Sequence, residues 1–266
     1  MVEDTIAKLY TANELHKEVI KCEYCGKEKK YGRLTLFGKT MDISVYDCDC
    51  LSRIAERTKY EDNKQHLADI YQYFKRNSDL PKEMKSFADW EHTEYTKSAE
   101  TCFNTFTTFT DHYQVGAKGL IVYGGAGCGK SHLSIALADT LAKKGIKVVF
   151  RNVPKLFEDI YSTFDDSDMS TSAVLEPIIN AQVVVLDDLG AEKPTDFVKT
   201  KLYYIINSLY NSGATIIVTT NVKKVSDLSD IIGFRAYDRL IEVCSLLYNG
   251  GQSYRRYVAT KNLQRR

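Results

Sequence analysis

Hydrophobic positions change rhythm along the chain. Between residues 119 and 258, short apolar runs alternate with stretches of helical periodicity. The runs are Leu120 to Tyr123, Val148 to Arg151, Val183 to Leu186 and Thr215 to Val218; the helices fall near 130–143, 154–163, 195–210 and 234–243. This alternation predicts an α/β domain with a parallel sheet flanked by helices. Val183-Val184-Val185-Leu186 and Ile216-Ile217-Val218 are apolar throughout, as befits strands buried on both faces. Upstream, Leu67, Ile70, Tyr71 and Phe74 recur at i, i+3, i+4 and i+7 within residues 61–77, a one-sided amphipathic helix. That stripe either packs on its own domain or faces a partner. Residues 5–20, with Ile6, Leu9, Val19 and Ile20 among charged positions, predict another helix. Asp79-Leu80-Pro81 breaks the 61–77 helix. Phe103, Phe106, Phe109 and Tyr113 then recur near helical spacing and read as core. The chain thus divides into residues 1–78, a connector and domain start at 79–118, and a core at 119–266, without internal repeats.

Composition narrows the classes. The 266 residues are 44% hydrophobic and 27% charged, ordinary for a globular protein. No apolar run approaches the length of a membrane span, and the N-terminus lacks the basic and apolar regions of a signal peptide, so a cytoplasmic protein with no membrane partner is expected. If the gene is carried by a phage, that is the host cytoplasm. A net charge of +1 leaves any nucleic-acid surface local. Arg255, Arg256, Lys261, Arg265 and Arg266 bias the C-terminal stretch, and the final pair reads as a solvated tail.

Candidate chemistry begins at Gly124-Gly125-Ala126-Gly127-Cys128-Gly129-Lys130-Ser131, which fits the phosphate-binding loop G-x-x-x-x-G-K-[ST]. A strand precedes it and a helical pattern follows, which is the context that separates such a loop from a mere glycine turn. Backbone N–H groups would curl around phosphates at a helix N-terminus. Lys130 would reach the β- and γ-phosphates of ATP, and the Ser131 hydroxyl would ligate Mg²⁺.

Val183-Val184-Val185-Leu186-Asp187-Asp188 is an apolar strand ending in two acids. A parallel strand emerging beside the phosphate loop would bring Asp187 to the metal. Asp188 falls where a water-polarising carboxylate belongs, one methylene shorter than the usual glutamate, which predicts slow turnover. Asn221, closing the next strand, is the candidate contact to the γ-phosphate or its water. Arg235, Arg239 and Arg255 carry the fork that suits transition-state phosphates, though each could equally serve a surface ion pair.

The seven cysteines are uneven. Cys22 and Cys25 form C-x-x-C with Gly26 just after; Cys48 and Cys50 form the tighter C-x-C, 22 residues on. Without an export signal, a disulfide framework is disfavoured. Four thiolates would close a tetrahedral structural Zn²⁺ site. Free thiols and a redox dithiol are the alternatives. Zinc would supply folding energy to a module too small for much core.

Together these pieces resemble the AAA+ ATPases, and within them the DnaC/DnaI helicase-loader family with the related IstB transposition ATPases. The resemblance runs over roughly residues 80–258. It rests on Gly124 to Leu133, Leu186-Asp187-Asp188-Leu189-Gly190-Ala191-Glu192-Lys193, Thr219-Thr220-Asn221, Asp238-Arg239-Leu240, Ser253-Tyr254-Arg255 and the upstream Ser86-Phe87-Ala88-Asp89-Trp90. It implies a sensor role for Asn221, an arginine finger acting on a neighbour's ATP for Arg239 (Arg235 being the alternative), and a sensor of its own subunit's nucleotide for Arg255. It further implies self-association through the ATP sites, and a partner in the ring-shaped, DnaB-type replicative helicase delivered to single-stranded DNA. Residues 1–78 would dock on that helicase. The competing expectations are an IstB-like transposition helper and a nucleotide-binding regulatory protein with little hydrolysis. A small-molecule kinase would not need a trans-acting Arg239.

Overall fold

The computed structural model describes residues 21–36, 39–46, 48–164 and 170–263. The helix expected over 5–20 and the Arg265-Arg266 pair lie outside the described residues. Two compact units divide between Gln65 and His66.

The smaller unit is built on a hairpin. β1 (Lys29–Leu36) pairs antiparallel with β2 (Lys39–Tyr46), from Lys29 opposite Tyr46 to Leu36 opposite Lys39. Helix α1 (Cys50–Asn77) follows directly, and the division between the units falls inside it. The helix begins well before the apolar stripe that predicted it. Residues 52–66 are exposed, so no one-sided burial marks that half in the sequence.

The larger unit is an open parallel sheet of five strands in the order β4-β5-β6-β3-β7. In chain order its elements are α2 (Glu100–Asp111), β3 (Gly119–Gly124), α3 (Lys130–Lys143), β4 (Val148–Asn152), α4 (Val153–Ser162), α5 (Thr171–Ile179) and β5 (Val183–Asp187). There follow α6 (Asp196–Ser212), β6 (Thr215–Thr220), α7 (Leu228–Ile232), α8 (Phe234–Val243), β7 (Cys244–Asn249) and α9 (Tyr254–Leu263). The sheet carries a core on each face, and the strands' period of two sorts residues between them. Ile121, Val149, Val184, Leu186, Ile216 and Val218 join α4, α5, α6 and α8 on one side. Leu120, Val122, Val148, Phe150, Val183, Val185 and Ile217 meet α2, α3 and the end of α1 on the other.

Within this frame the Leu67-to-Phe74 stripe settles on the larger unit. Phe74 is fully buried and Tyr71 donates its hydroxyl hydrogen to Asp139 of α3 at 2.7 Å. Phe106 is fully buried, with Phe103, Phe109 and Tyr113 packed around it, in agreement with the core reading. Several elements among the described residues, α7 and α9 included, carried too little pattern to be expected. β1 and β2 are rich in Lys, Arg and Thr, α5 contains Pro177, and the edge strand β7 leaves Ser245, Leu246 and Tyr248 exposed. The acid-tipped strand β5 reaches the phosphate loop, where Ser131 bonds Asp187, without pairing with β3. β6 is inserted between them, pairing with β3 on one side and β5 on the other. An all-apolar strand records burial on both faces but says nothing about its lateral neighbour.

Candidate functional site

All five strands run the same way, so their C-terminal ends share one edge, where ligands of open α/β sheets sit. The loop from β3 to α3 rises there. Gly124 closes β3 and Lys130 opens α3, so residues 125–129 turn with their N–H groups at a helix N-terminus. Gly129 has φ of 91°, and a Cβ there would lie 2.5 Å from Cζ3 of Trp90, so the loop depends on glycine twice over.

The charged groups form one connected chain. Lys130, 5% exposed, donates from Nζ to Gly124 O at 3.0 Å, Gly125 O at 2.7 Å and Asn221 Oδ1 at 2.7 Å. Asn221 in turn donates from Nδ2 to Asp188 Oδ1 at 2.6 Å. Thr219 of β6 donates to Asp187 Oδ1 at 2.6 Å. Burial holds the Asp187 carboxyl above the ordinary aspartate range, while hydrogen bonds from Thr219, Ser131 and Asn152 pull it back and the Asp188 charge adds to the rise. Asp188 has φ of 61°, the sole non-glycine with positive φ among the described residues. Such strain collects at functional sites.

The chemistry of this donor set fits Mg²⁺: the Asp187 carboxylate and the Ser131 hydroxyl are hard oxygen ligands beside a phosphate loop. When bound, the ion would neutralise phosphate charge. Lys130 would exchange its carbonyl and amide contacts for phosphate oxygens, and Asp188 would address a water.

A cavity of about 290 Å³ runs from this edge, lined by Ala126 to His132, Asp188, Asn221, Tyr254 and Arg255. Its other wall is the connector: Lys85, Asp89, Trp90, Glu91, Tyr95 and Thr96. The Ser86-to-Trp90 motif thus borders the site, a placement its sequence does not signal. The Trp90 ring stacks on Phe103, with centroids 5.7 Å apart, and meets His132 at 5.5 Å, while His132 Nε2 reaches Ser86 O at 2.8 Å. The C-terminal helix closes against the same connector. Tyr254 N donates to Gly127 O at 3.0 Å, and Tyr257 stacks on Tyr95 at 4.3 Å. Burial and a hydrogen bond to Glu91 push the Tyr254 phenol up to about 12.

The candidate residues therefore divide. Gly124 to Ser131, Asp187, Asp188, Asn221 and Arg255 come together, and Arg255 enters from α9. Arg239 does not line the cavity. Its guanidinium lies over the rings of Tyr210 at 4.8 Å and Tyr203 at 5.6 Å, both on α6. Arg235 is exposed on α8, the helix that carries Arg239. Thr219, which bonds Asp187, carries no site role that its sequence alone reveals. Its signal was only adjacency to Asn221.

In the smaller unit, Cys22, Cys25, Cys48 and Cys50 converge, with all four sulfurs within 4.8 Å of one another. A zinc ion with Zn–S bonds of about 2.3 Å sets sulfurs about 3.8 Å apart in a tetrahedron, so this set fits with small adjustment. The first pair sits on a turn in which Gly26 N donates to Cys22 O at 2.9 Å, with Gly26 at φ of 71°. Backbone N–H groups of Tyr24 and Cys25 lower the Cys22 thiol to about 7, whereas Cys25 and burial push Cys50 up to about 12. A thiolate at Cys22 near neutral pH would be a natural first ligand.

Over residues 47–262 the chain matches the family of IstB-like ATP binding proteins. It is 24% identical over 213 residues to the replicative helicase loader DnaI of Bacillus subtilis (strain 168), covering 76% of this chain and 63% of that protein. To the replicative helicase loader DnaC of Escherichia coli (strain K12) it is 23% identical over 132 residues, covering 50% of this chain and 54% of that one. Among solved structures it is similar to the crystal structure of the DnaC helicase loader, with a TM-score of 0.55 and 27% identity, covering 62% of this chain and 96% of the other. The chain thus spans between about half and just under two thirds of the length of these curated relatives.

Proposed function

This chain belongs to the family of IstB-like ATP binding proteins, and from that premise we propose that it is an ATP-hydrolysing loader that places a ring-shaped, DnaB-type replicative helicase on single-stranded DNA. The similarity to helicase loaders supports the client, and the AAA+ fold supports the engine. The observation that carries the reading is the division of the nucleotide site. Lys130, Ser131, Asp187, Asp188 and Asn221 converge, while Arg239 sits apart on α8. That division favours completion by a neighbouring subunit, with Arg239 as its finger, so that ATP binding assembles the DNA-holding state and hydrolysis releases it. The four-cysteine centre would hold zinc and stiffen a helicase-docking unit over residues 1–78. The protein would act in the cytoplasm, or in the host's if phage-borne.

The test is co-purification of the full chain with the replicative helicase of its own cell. The complex is expected to be lost when residues 1–78 are removed; its retention refutes the docking role, and capture of a transposase in place of a helicase turns the assignment to an IstB-like helper. One observation favours slow chemistry: the Asp188 carboxylate is engaged by Asn221, where an attacking water would stand. Turnover of wild type and Asp188→Asn, measured with and without single-stranded DNA, separates a slow ATPase from a regulatory binder. Rates near zero in all four measurements identify the binder.

A further inference from the structure

β6 lies between the strand that carries the phosphate loop and the strand that carries the two aspartates. Asn221, just past β6, links the two halves by accepting from Lys130 and donating to Asp188, and two residues earlier β6 also grips the aspartate half. Thr219, 1% exposed, touches three successive residues where the chain leaves β5. Its Oγ1 lies 2.6 Å from Asp187 Oδ1 and 3.0 Å from Asp188 N, and its carbonyl oxygen accepts from Leu189 N at 2.9 Å. The proton placement is unambiguous. Asp188 N is a donor, so Oγ1 accepts there, and the single hydroxyl hydrogen goes to Asp187. One carboxylate oxygen of Asp187 is thereby occupied, which orients the other. The same hydroxyl, with the Leu189 bond, clamps Asp188 in its left-handed turn, from which its carboxylate reaches Asn221.

We propose that Thr219 is the positioning residue of this site, setting the Asp187 carboxylate for the divalent metal and the Asp188 carboxylate for the water at the same time. The proposal rests on the ATP·Mg²⁺ reading above. Serine keeps both hydroxyl bonds. Valine keeps the shape and makes neither, leaving the buried Asp187 carboxylate one hydrogen bond short and the part-buried Asp188 N–H without its acceptor. Groups that orient metal ligands change metal affinity or activity by about 10–100-fold when removed.

Trp90 is the sole tryptophan and lines the cavity, so its fluorescence reports occupancy. The experiment titrates ADP and ATP into the full chain without metal, and then Mg²⁺ and Mn²⁺ into the nucleotide complex, for wild type, Thr219→Val and Thr219→Ser. Thr219→Val is expected to bind nucleotide without metal within about twofold of wild type, and to need about 10–100-fold more metal for half-saturation. Thr219→Ser is expected to restore the metal dependence to within about threefold, as a retained hydroxyl requires. Wild-type metal dependence in Thr219→Val overturns the proposal. So does a Thr219→Ser variant as deficient as valine, or loss of metal-free nucleotide binding in both variants, which marks a packing role. A wild-type protein that binds no nucleotide refutes the ATP reading itself, before any variant is compared.

Discussion

Replacing Gly129 with alanine measures how firmly the connector braces the phosphate loop. The new Cβ would lie 2.5 Å from Trp90 Cζ3 and 2.7 Å from Cη2. The indole is 7% exposed, stacked on Phe103 and against His132, so moving it away from Gly129 breaks those contacts. Two costs add. Alanine in a left-handed backbone costs about 1–2 kcal/mol, and overpacking a filled site costs about 1–3 kcal/mol. Their sum, about 2–5 kcal/mol, is a large fraction of the ~5–15 kcal/mol that holds a domain folded. A double-mutant cycle with Trp90→Leu separates them, since leucine removes the ring atoms that clash and leaves the backbone strain. The coupling expected is about 1–3 kcal/mol, the overpacking share alone. Urea unfolding of the four proteins, followed by far-ultraviolet circular dichroism, supplies the numbers. Nucleotide binding should follow the same order, lost in Gly129→Ala and partly recovered in the double variant. An equal cost of Gly129→Ala in both backgrounds would refute the brace.

Three other outcomes are expected. Phe74→Ala should cost about 3–5 kcal/mol in urea unfolding of the larger unit, because Phe74 is fully buried among α2 and α3 side chains; a cost below about 1 kcal/mol would exclude the end of α1 from that core. Purified protein should carry zinc in stoichiometric amount by elemental analysis, and chelation or Cys25→Ser should lower the melting of the smaller unit while sparing nucleotide binding; a metal-free protein with unchanged melting would leave the four cysteines as plain thiols. Burial, then the hydrogen bond to Asp139, raises the Tyr71 phenol from 10.0 to about 12, so the fold favours its protonated form. The stability this contributes is fully present below pH 10 and is lost as pH rises from 10 toward 12, so urea midpoints at pH 9 and 11 should fall more steeply for wild type than for Tyr71→Phe; equal slopes would contradict the assignment.

The sequence alone determined the pieces whose cause is local. The glycines and Lys130-Ser131 mark a phosphate loop because any such loop needs free backbone and a helix start at that spacing. Apolar runs ending in Asp187 and Asn221 mark strands that deliver those side chains to the edge of a sheet. C-x-x-C and C-x-C mark a thiol cluster because each pair spans one tight turn. Tertiary structure decided what lies between the pieces. Nothing in Val183 to Leu186 or Thr215 to Val218 specifies which neighbours which, since strands buried on both faces look alike from either side. The insertion of β6, and with it the grip of Thr219 on Asp187 and Asp188, became visible only in the sheet. The sequence offers Trp90 only as part of a short motif; the fold makes it a wall of the cavity, because its contacts to Gly129 and His132 join residues some forty positions apart. Arg239 kept its motif but found its place over Tyr203 and Tyr210 through the packing of α8 on α6. Periodicity records how deeply a residue is buried, whereas a site also depends on which distant residue it is buried against, and only the closed fold supplies that.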